Sequence, residues 1–262
     1  MVSQEEIWKK LEKSIERNKR ILEKLNKIDN EYYSFQIKTS KLIEIIKLKG
    51  QRKKESEVKG NNILVIHSGN PYLTLLLAIE AIQKEINITI DIQETMYGLN
   101  SGIVKIIQEI LNEENVDITI NLERDTINEK DNLLKFDKII VMGERDIYKL
   151  LKKRNLKQLS YNPSGNIEIY CDSEEFQEIE EMICEIADYN FMLMERYEEC
   201  ENVEEVIEQI NEYGEKDIVV ILTKQNISKE ELRKQIDGKY VYINENPYKQ
   251  MEKDKIKEDY LN

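Results

Sequence analysis

From Asn62 onward, short runs rich in isoleucine and valine alternate with longer segments of helical spacing, and this alternation narrows the fold more than any other feature. Strands are expected at 63–66, 88–92, 116–122, 138–142, 167–171, 218–222 and 240–243. Helices are expected at 72–85, 101–112, 146–154, 174–189, 203–213 and 228–235. Each helix carries the chain back across a sheet face, so successive strands run parallel. The pattern therefore predicts an α/β protein, with a doubly wound, mainly parallel sheet in one Rossmann-like domain over 62–247. Ligands of such sheets bind outside the carboxyl ends of the strands.

The N-terminal part follows a different period. Trp8, Leu11, Ile15, Leu22 and Leu25 recur at heptad spacing, with Asn18 in the gap, and a second helix is expected over 32–48. This is an N-terminal helical arm over 1–49. Its apolar seam fits either a helical pair, with Asn18 fixing register, or an amphipathic helix laid on its own domain. A linker is expected over 50–61, because the basic run from Lys47 to Lys59 is interrupted by glutamates and has no aromatic residue. A charged tail is expected over 248–262.

Charge and composition exclude several function classes. The 262 residues carry 39 basic and 52 acidic side chains, a net charge of -13, so nucleic acid and anionic membranes are not expected partners. The first residues lack the apolar stretch of a signal peptide and no window is long enough to span a bilayer, so a cytoplasmic protein is expected. The three cysteines, Cys171, Cys184 and Cys200, form neither a disulfide framework nor a zinc pattern, and His67 is the sole histidine. No metal site is expected.

Three strand-to-helix turns hold candidate ligand groups: 67–72, 97–102 and 141–146. The first has Pro71 at a helix start, the second offers Asn100 or Ser101 as a cap, and the third contains Gly143. Backbone N–H groups at helix starts hold phosphate, although neither a dinucleotide glycine fingerprint nor a phosphate-loop lysine pattern is present.

The order of segments resembles the aldehyde dehydrogenase superfamily over 63–247. Asp137 to Glu144 resembles its strand and glycine-serine turn. Lys157 to Tyr161 stands where its general-base motif falls. Gly165 to Phe176 resembles its next strand and acidic turn, and Glu201 to Gly214, Ile218 to Lys224 and Tyr240 to Pro247 resemble its terminal segments. Glutamyl-phosphate-reductase-like members are the nearer comparison. The resemblance implies a cofactor domain for NAD(P), with His67, Ser68, Gly69, Gly143 and Glu144 as the cofactor-binding positions.

The departures point away from catalysis. The family's nucleophilic cysteine should fall near Met194 or Glu195, and no cysteine is there. Gln158 occupies the general-base position and cannot take a proton at neutral pH. His67 or Ser68 replaces the lysine that reaches a cofactor ribose, and Glu144 replaces the serine of the turn. Cys200 is a weak catalytic candidate because flanking glutamates disfavour a thiolate. Cys171 and Cys184 read as core residues. The expectation is a shortened, non-catalytic descendant, with no cofactor, acting through binding or self-association. The alternative is an NAD(P)-dependent aldehyde or acyl-phosphate oxidoreductase using Cys200. A homo-oligomer or a complex with a related subunit is expected through the 174–189 helix and the 240–243 strand, with the Trp8 to Leu25 seam as a second route.

Overall fold

The computed structural model describes residues 3–29, 38–50, 62–92, 97–128, 130–143, 145–162, 167–172, 194–212, 216–223, 225, 228–236 and 238–245. The strands expected in one sheet lie in two. The chain divides between Asn162 and Pro163 into two units, each with its own parallel sheet. A single domain over 62–247 is thus replaced by two. Both sheets are built from β-branched runs that alternation alone assigns to one layer, and the Asn162-Pro163-Ser164-Gly165 cluster at the break reads equally as a turn within one domain.

In the first unit the strands are β1 (Asn62–His67), β2 (Asn87–Ile92), β3 (Ile120–Glu123), β4 (Lys138–Met142) and β5 (Leu159–Asn162), in the order β3-β2-β1-β4-β5 and parallel throughout. Helices α4 (Pro71–Lys84) and α5 (Tyr97–Glu113) make the first two crossovers. A 3-10 turn at Thr126–Asn128, α6 (Lys130–Leu133) and α7 (Arg145–Lys152) make the others. Leu64, Ile66, Ile139 and Val141 point to one face and pack on Ile127, Leu133, Phe136 and Leu151. The alternate residues Ile63, Val65 and Ile140 are also buried, so the central strands are apolar on both sides, as a doubly wound sheet requires.

The N-terminal helices belong to this unit. The expected single helix is two, α1 (Gln4–Arg17) and α2 (Lys19–Asp29), because Asn18 ends the first: its N–H and its side-chain amide both donate to the Ser14 carbonyl. Ser3 and Glu6 form a capping box at the start of α1. The seam is buried within the chain, with Trp8 5 % and Ile15 0 % exposed, against α3 (Thr39–Gly50) and α5. The second of the two seam readings therefore holds. Gly50 lets α3 approach the Trp8 indole, whose Cγ lies 2.9 Å from where a Cβ would stand. Helices α3 and α5 pack on α4, which explains why a helix apolar on nearly every side is stable here.

The second unit has β6 (Ile167–Asp172), β7 (Met194–Cys200), α8 (Val203–Glu212), β8 (Lys216–Leu222), α9 (Lys229–Gln235) and β9 (Gly238–Ile243), with strand order β7-β6-β8-β9, all parallel. Tyr170, Cys200, Val203, Val206, Ile210, Val219, Ile221 and Leu232 form its core. The expected 174–189 helix, Cys184, the linker beyond Gly50 and the tail lie outside the described residues. Two strands escaped the pattern. β5 reads Leu-Ser-Tyr-Asn with no β-branched residue, and β7 is crowded with charges, which an edge strand tolerates.

Candidate functional site at the carboxyl edge of the first sheet

The strand order reverses direction between β1 and β4, so the ligand crevice of this fold opens beyond His67 and Met142. His67 ends β1, Ser68 and Gly69 follow it and Gly143 follows β4, so four of the five expected cofactor positions share this edge. Glu144, the fifth, is outside the described residues.

His67 does not project as a lysine would. It is fully buried, and its Nδ1 accepts the Gly69 N–H at 3.0 Å. A neutral ring then carries its proton on Nε2, which donates to Thr74 Oγ1 at 3.2 Å. Thr74 in turn donates to Asn100 Oδ1, and the Asn100 amide donates to the Gly69 carbonyl at 2.6 Å. The ring of bonds His67–Thr74–Asn100–Gly69 closes on itself and ties the β1–α4 turn to α5. Gly69 completes it at φ 106, a left-handed conformation that residues with a side chain rarely take. Burial pushes the His67 pKa down to about 3. Its neutral form is the one that folds, so the stability it contributes is complete above its ordinary 6.5 and is lost as pH falls toward 3.

At each helix start on this edge an N–H already has a partner within the chain. Pro71 has no N–H to offer, and the Tyr72 N–H of α4 donates to Asn70 Oδ1 at 3.0 Å. Residues 97–100, expected as a loop, form the first turn of α5. There the Leu99 N–H donates to Oδ2 of Asp29, at the end of α2, at 2.7 Å. Gly98 makes room, since that carboxylate lies 2.9 Å from where its Cβ would be. A negative charge at a helix start is favourable, so Asp29 takes the role an anionic ligand would take. At α7 the Gly143 N–H donates to the Asn162 carbonyl at 3.0 Å, and the Arg145 N–H to the Gly143 carbonyl at 3.1 Å. Asn100, expected as a possible cap, works instead in the buried ring.

Asp91, on β2 beside Ile66 of β1, lies where an acid commonly holds a cofactor ribose. It has no exposed surface, and its Oδ2 accepts the Thr126 N–H at 2.8 Å. Burial raises its pKa above the usual carboxylate range, against the hydrogen bonds from Thr126, and the nearby Asp125 charge adds to the rise. The charged form is thus penalised by folding, so the stability this carboxyl contributes is greatest in acid and declines as pH rises through its unfolded pKa toward its folded one. Asp91→Asn keeps an acceptor for Thr126 and never ionises. Urea unfolding should show it more stable than the parent at neutral pH, with the gap narrowing as pH falls toward the ordinary carboxylate range.

The thiol and base positions are also placed. Met194 and Glu195 begin strand β7, and Cys200 ends it, 1 % exposed in the core of the second unit. Cys171 is buried, as expected. Gln158, in the turn before β5, donates from its side chain to the Leu133 carbonyl at 3.4 Å, while its own carbonyl accepts the Ile139 N–H at 2.9 Å. Asp29, Thr74 and Asp91 were absent from the sequence candidates. A threonine within the apolar run of α4 was the one available signal. Among the described residues no three His, Cys, Asp or Glu are grouped to hold a metal ion, and no helix is long and apolar enough to cross a membrane.

No protein-family model matches the sequence, and no curated protein matches it in sequence. Solved structures do match. A gamma-glutamyl phosphate reductase from Thermotoga maritima is 15% identical with a TM-score of 0.51, covering 93% of this chain and 83% of that one. A protein from Bacillus subtilis described as a putative aldehyde dehydrogenase is 9% identical with a TM-score of 0.54, covering 94% and 82%. A glyceraldehyde-3-phosphate dehydrogenase from Methanocaldococcus jannaschii, complexed with NADP, is 12% identical with a TM-score of 0.53, covering 92% and 80%. The chain therefore has the aldehyde dehydrogenase fold. The matches run through most of each relative.

Proposed function

We propose that this chain is a non-catalytic protein of the aldehyde dehydrogenase fold, working in the cytoplasm by association with a second copy or a related subunit. One observation carries the reading: the groups that a dinucleotide would engage at the carboxyl edge of the first sheet are engaged by the chain itself. Gly69 and Gly143 N–H groups serve His67 and Asn162, the α5 start serves Asp29, and Asp91 is enclosed. The described residues do not fit the cofactor. Cys200 supports the same reading, because a thiol 1 % exposed among Tyr170, Val206 and Ile210 offers a substrate no access.

Association is supported by β9, which among the described residues pairs with β8 alone and stands at the edge of the second sheet. A panel of aldehydes and acyl phosphates with NAD(P) in both redox states should give no turnover above the blank, and Cys200→Ser should leave that result unchanged. Turnover abolished by Cys200→Ser would restore an oxidoreductase built on that thiol. Sedimentation at micromolar concentration should show a species heavier than the 31.1 kDa chain.

A further inference from the structure

The outer face of α2 combines a pair of exposed isoleucines with three exposed cations. Ile21 and Ile28, one heptad apart, are 59 % and 58 % exposed, although each is a large aliphatic side chain. On the same outward arc stand Arg20, Lys24 and Lys27, all exposed and none in an ion pair, with Glu23 the one acid, bridged to Lys19 at 4.0 Å. A protein of net charge -13 thus shows a local basic and apolar strip. The strip is held rigidly from behind. Leu22 and Leu25 press on Gly102 of α5, at 3.3 and 3.0 Å from where its Cβ would be, and Asp29 bonds the start of that helix.

We infer that this face of α2 docks an amphipathic helix of a different, acidic protein, whose apolar side chains cover Ile21 and Ile28 and whose carboxylates meet Arg20, Lys24 and Lys27. Charge selects the occupant. Two copies of α2 laid antiparallel with Ile21 against Ile28 set position 24 against position 25, which brings the two Lys24 side chains together beside the two-fold axis, so the face does not complement itself. An anionic bilayer would meet the three cations, but two isoleucines on an 11-residue helix give too little apolar surface to insert. A helical partner needs only a short apolar seam with flanking acids, the pairing logic of heptad helices. The inference deepens the reading that the chain works by association. The two fail separately, because self-association through β9 is read by sedimentation without any peptide.

The test uses the full chain and a labelled synthetic heptad peptide with leucine on its seam and glutamate beside it, followed by fluorescence anisotropy. Binding is expected, weakened roughly tenfold or more in the Ile21→Ser, Ile28→Ser double variant. Lys24→Glu should weaken it at low salt, with the difference from the parent shrinking as salt is added. All replaced residues are exposed, so unchanged circular dichroism and thermal midpoints verify that the fold is intact. Absence of binding, or binding unaffected by these substitutions, overturns the proposal. So does binding of phosphatidylserine vesicles that needs the same residues while the peptide does not bind.

Discussion

Trp8→Ala lowers the unfolding free energy of the first unit by about 3–5 kcal/mol. The indole is 5 % exposed and meets Gly50 of α3 at van der Waals range, while the same seam reaches α5 through α1 and α2. The truncation leaves a cavity between helices held together by Gly50, which cannot expand to fill it. Urea unfolding followed by circular dichroism is the appropriate measurement, because Trp8 is the sole tryptophan and its fluorescence goes with it. A detachable arm would behave differently. The main transition would then stay within about 0.5 kcal/mol of the parent, the range of a surface substitution.

Asn100→Leu has the second large effect, a loss of about 3 kcal/mol. Leucine keeps the branching at Cγ but has no polar atom, so it leaves the Gly69 carbonyl without its 2.6 Å donor and the Thr74 hydroxyl without its acceptor, both in the interior. Each stranded group costs about 1–3 kcal/mol. Adding Thr74→Val removes one of the stranded groups, so the double variant should be less destabilised than the sum of the singles, a coupling a double-mutant cycle reads directly. The parent should also show its one imidazole untitrated by NMR between about pH 5 and 8, since His67 is held at about 3.

Much of the first sheet was legible in the sequence. β1, β2 and β4 are continuous β-branched runs buried on both faces, and such runs announce themselves without reference to their neighbours. β3 was placed early because Val116 to Thr119 finishes the turn after α5: the Val116 N–H returns to the Leu111 carbonyl, and Asn115 takes φ 53. The heptad seam was visible too, but a seam looks the same whether its partner is another chain or its own domain. What decides between them is the pair of glycines, Gly98 and Gly102, that admit α2 against α5, and glycine in a helix carries no sign of what it faces.

The candidate site was legible only in outline. The turns after β1 and β4 could be located, because glycine after a strand marks the carboxyl edge of such a sheet. Whether their N–H groups are free could not, because the groups that engage them come from afar: Asp29 is 70 residues from Leu99, and Thr126 is 35 from Asp91. His67 looked like a substituted ligand position, and its burial depends on Thr74 and Asn100, which no local pattern connects to it.

Calorimetric titration of the full chain with NADPH, up to millimolar concentration, tests most directly whether the carboxyl edge of the first sheet is closed. The account predicts no saturable heat, for the parent and for Gly143→Val alike. Saturable binding in the micromolar range, abolished by Gly143→Val while the fold is retained, would contradict it and return the edge to the role of a cofactor site.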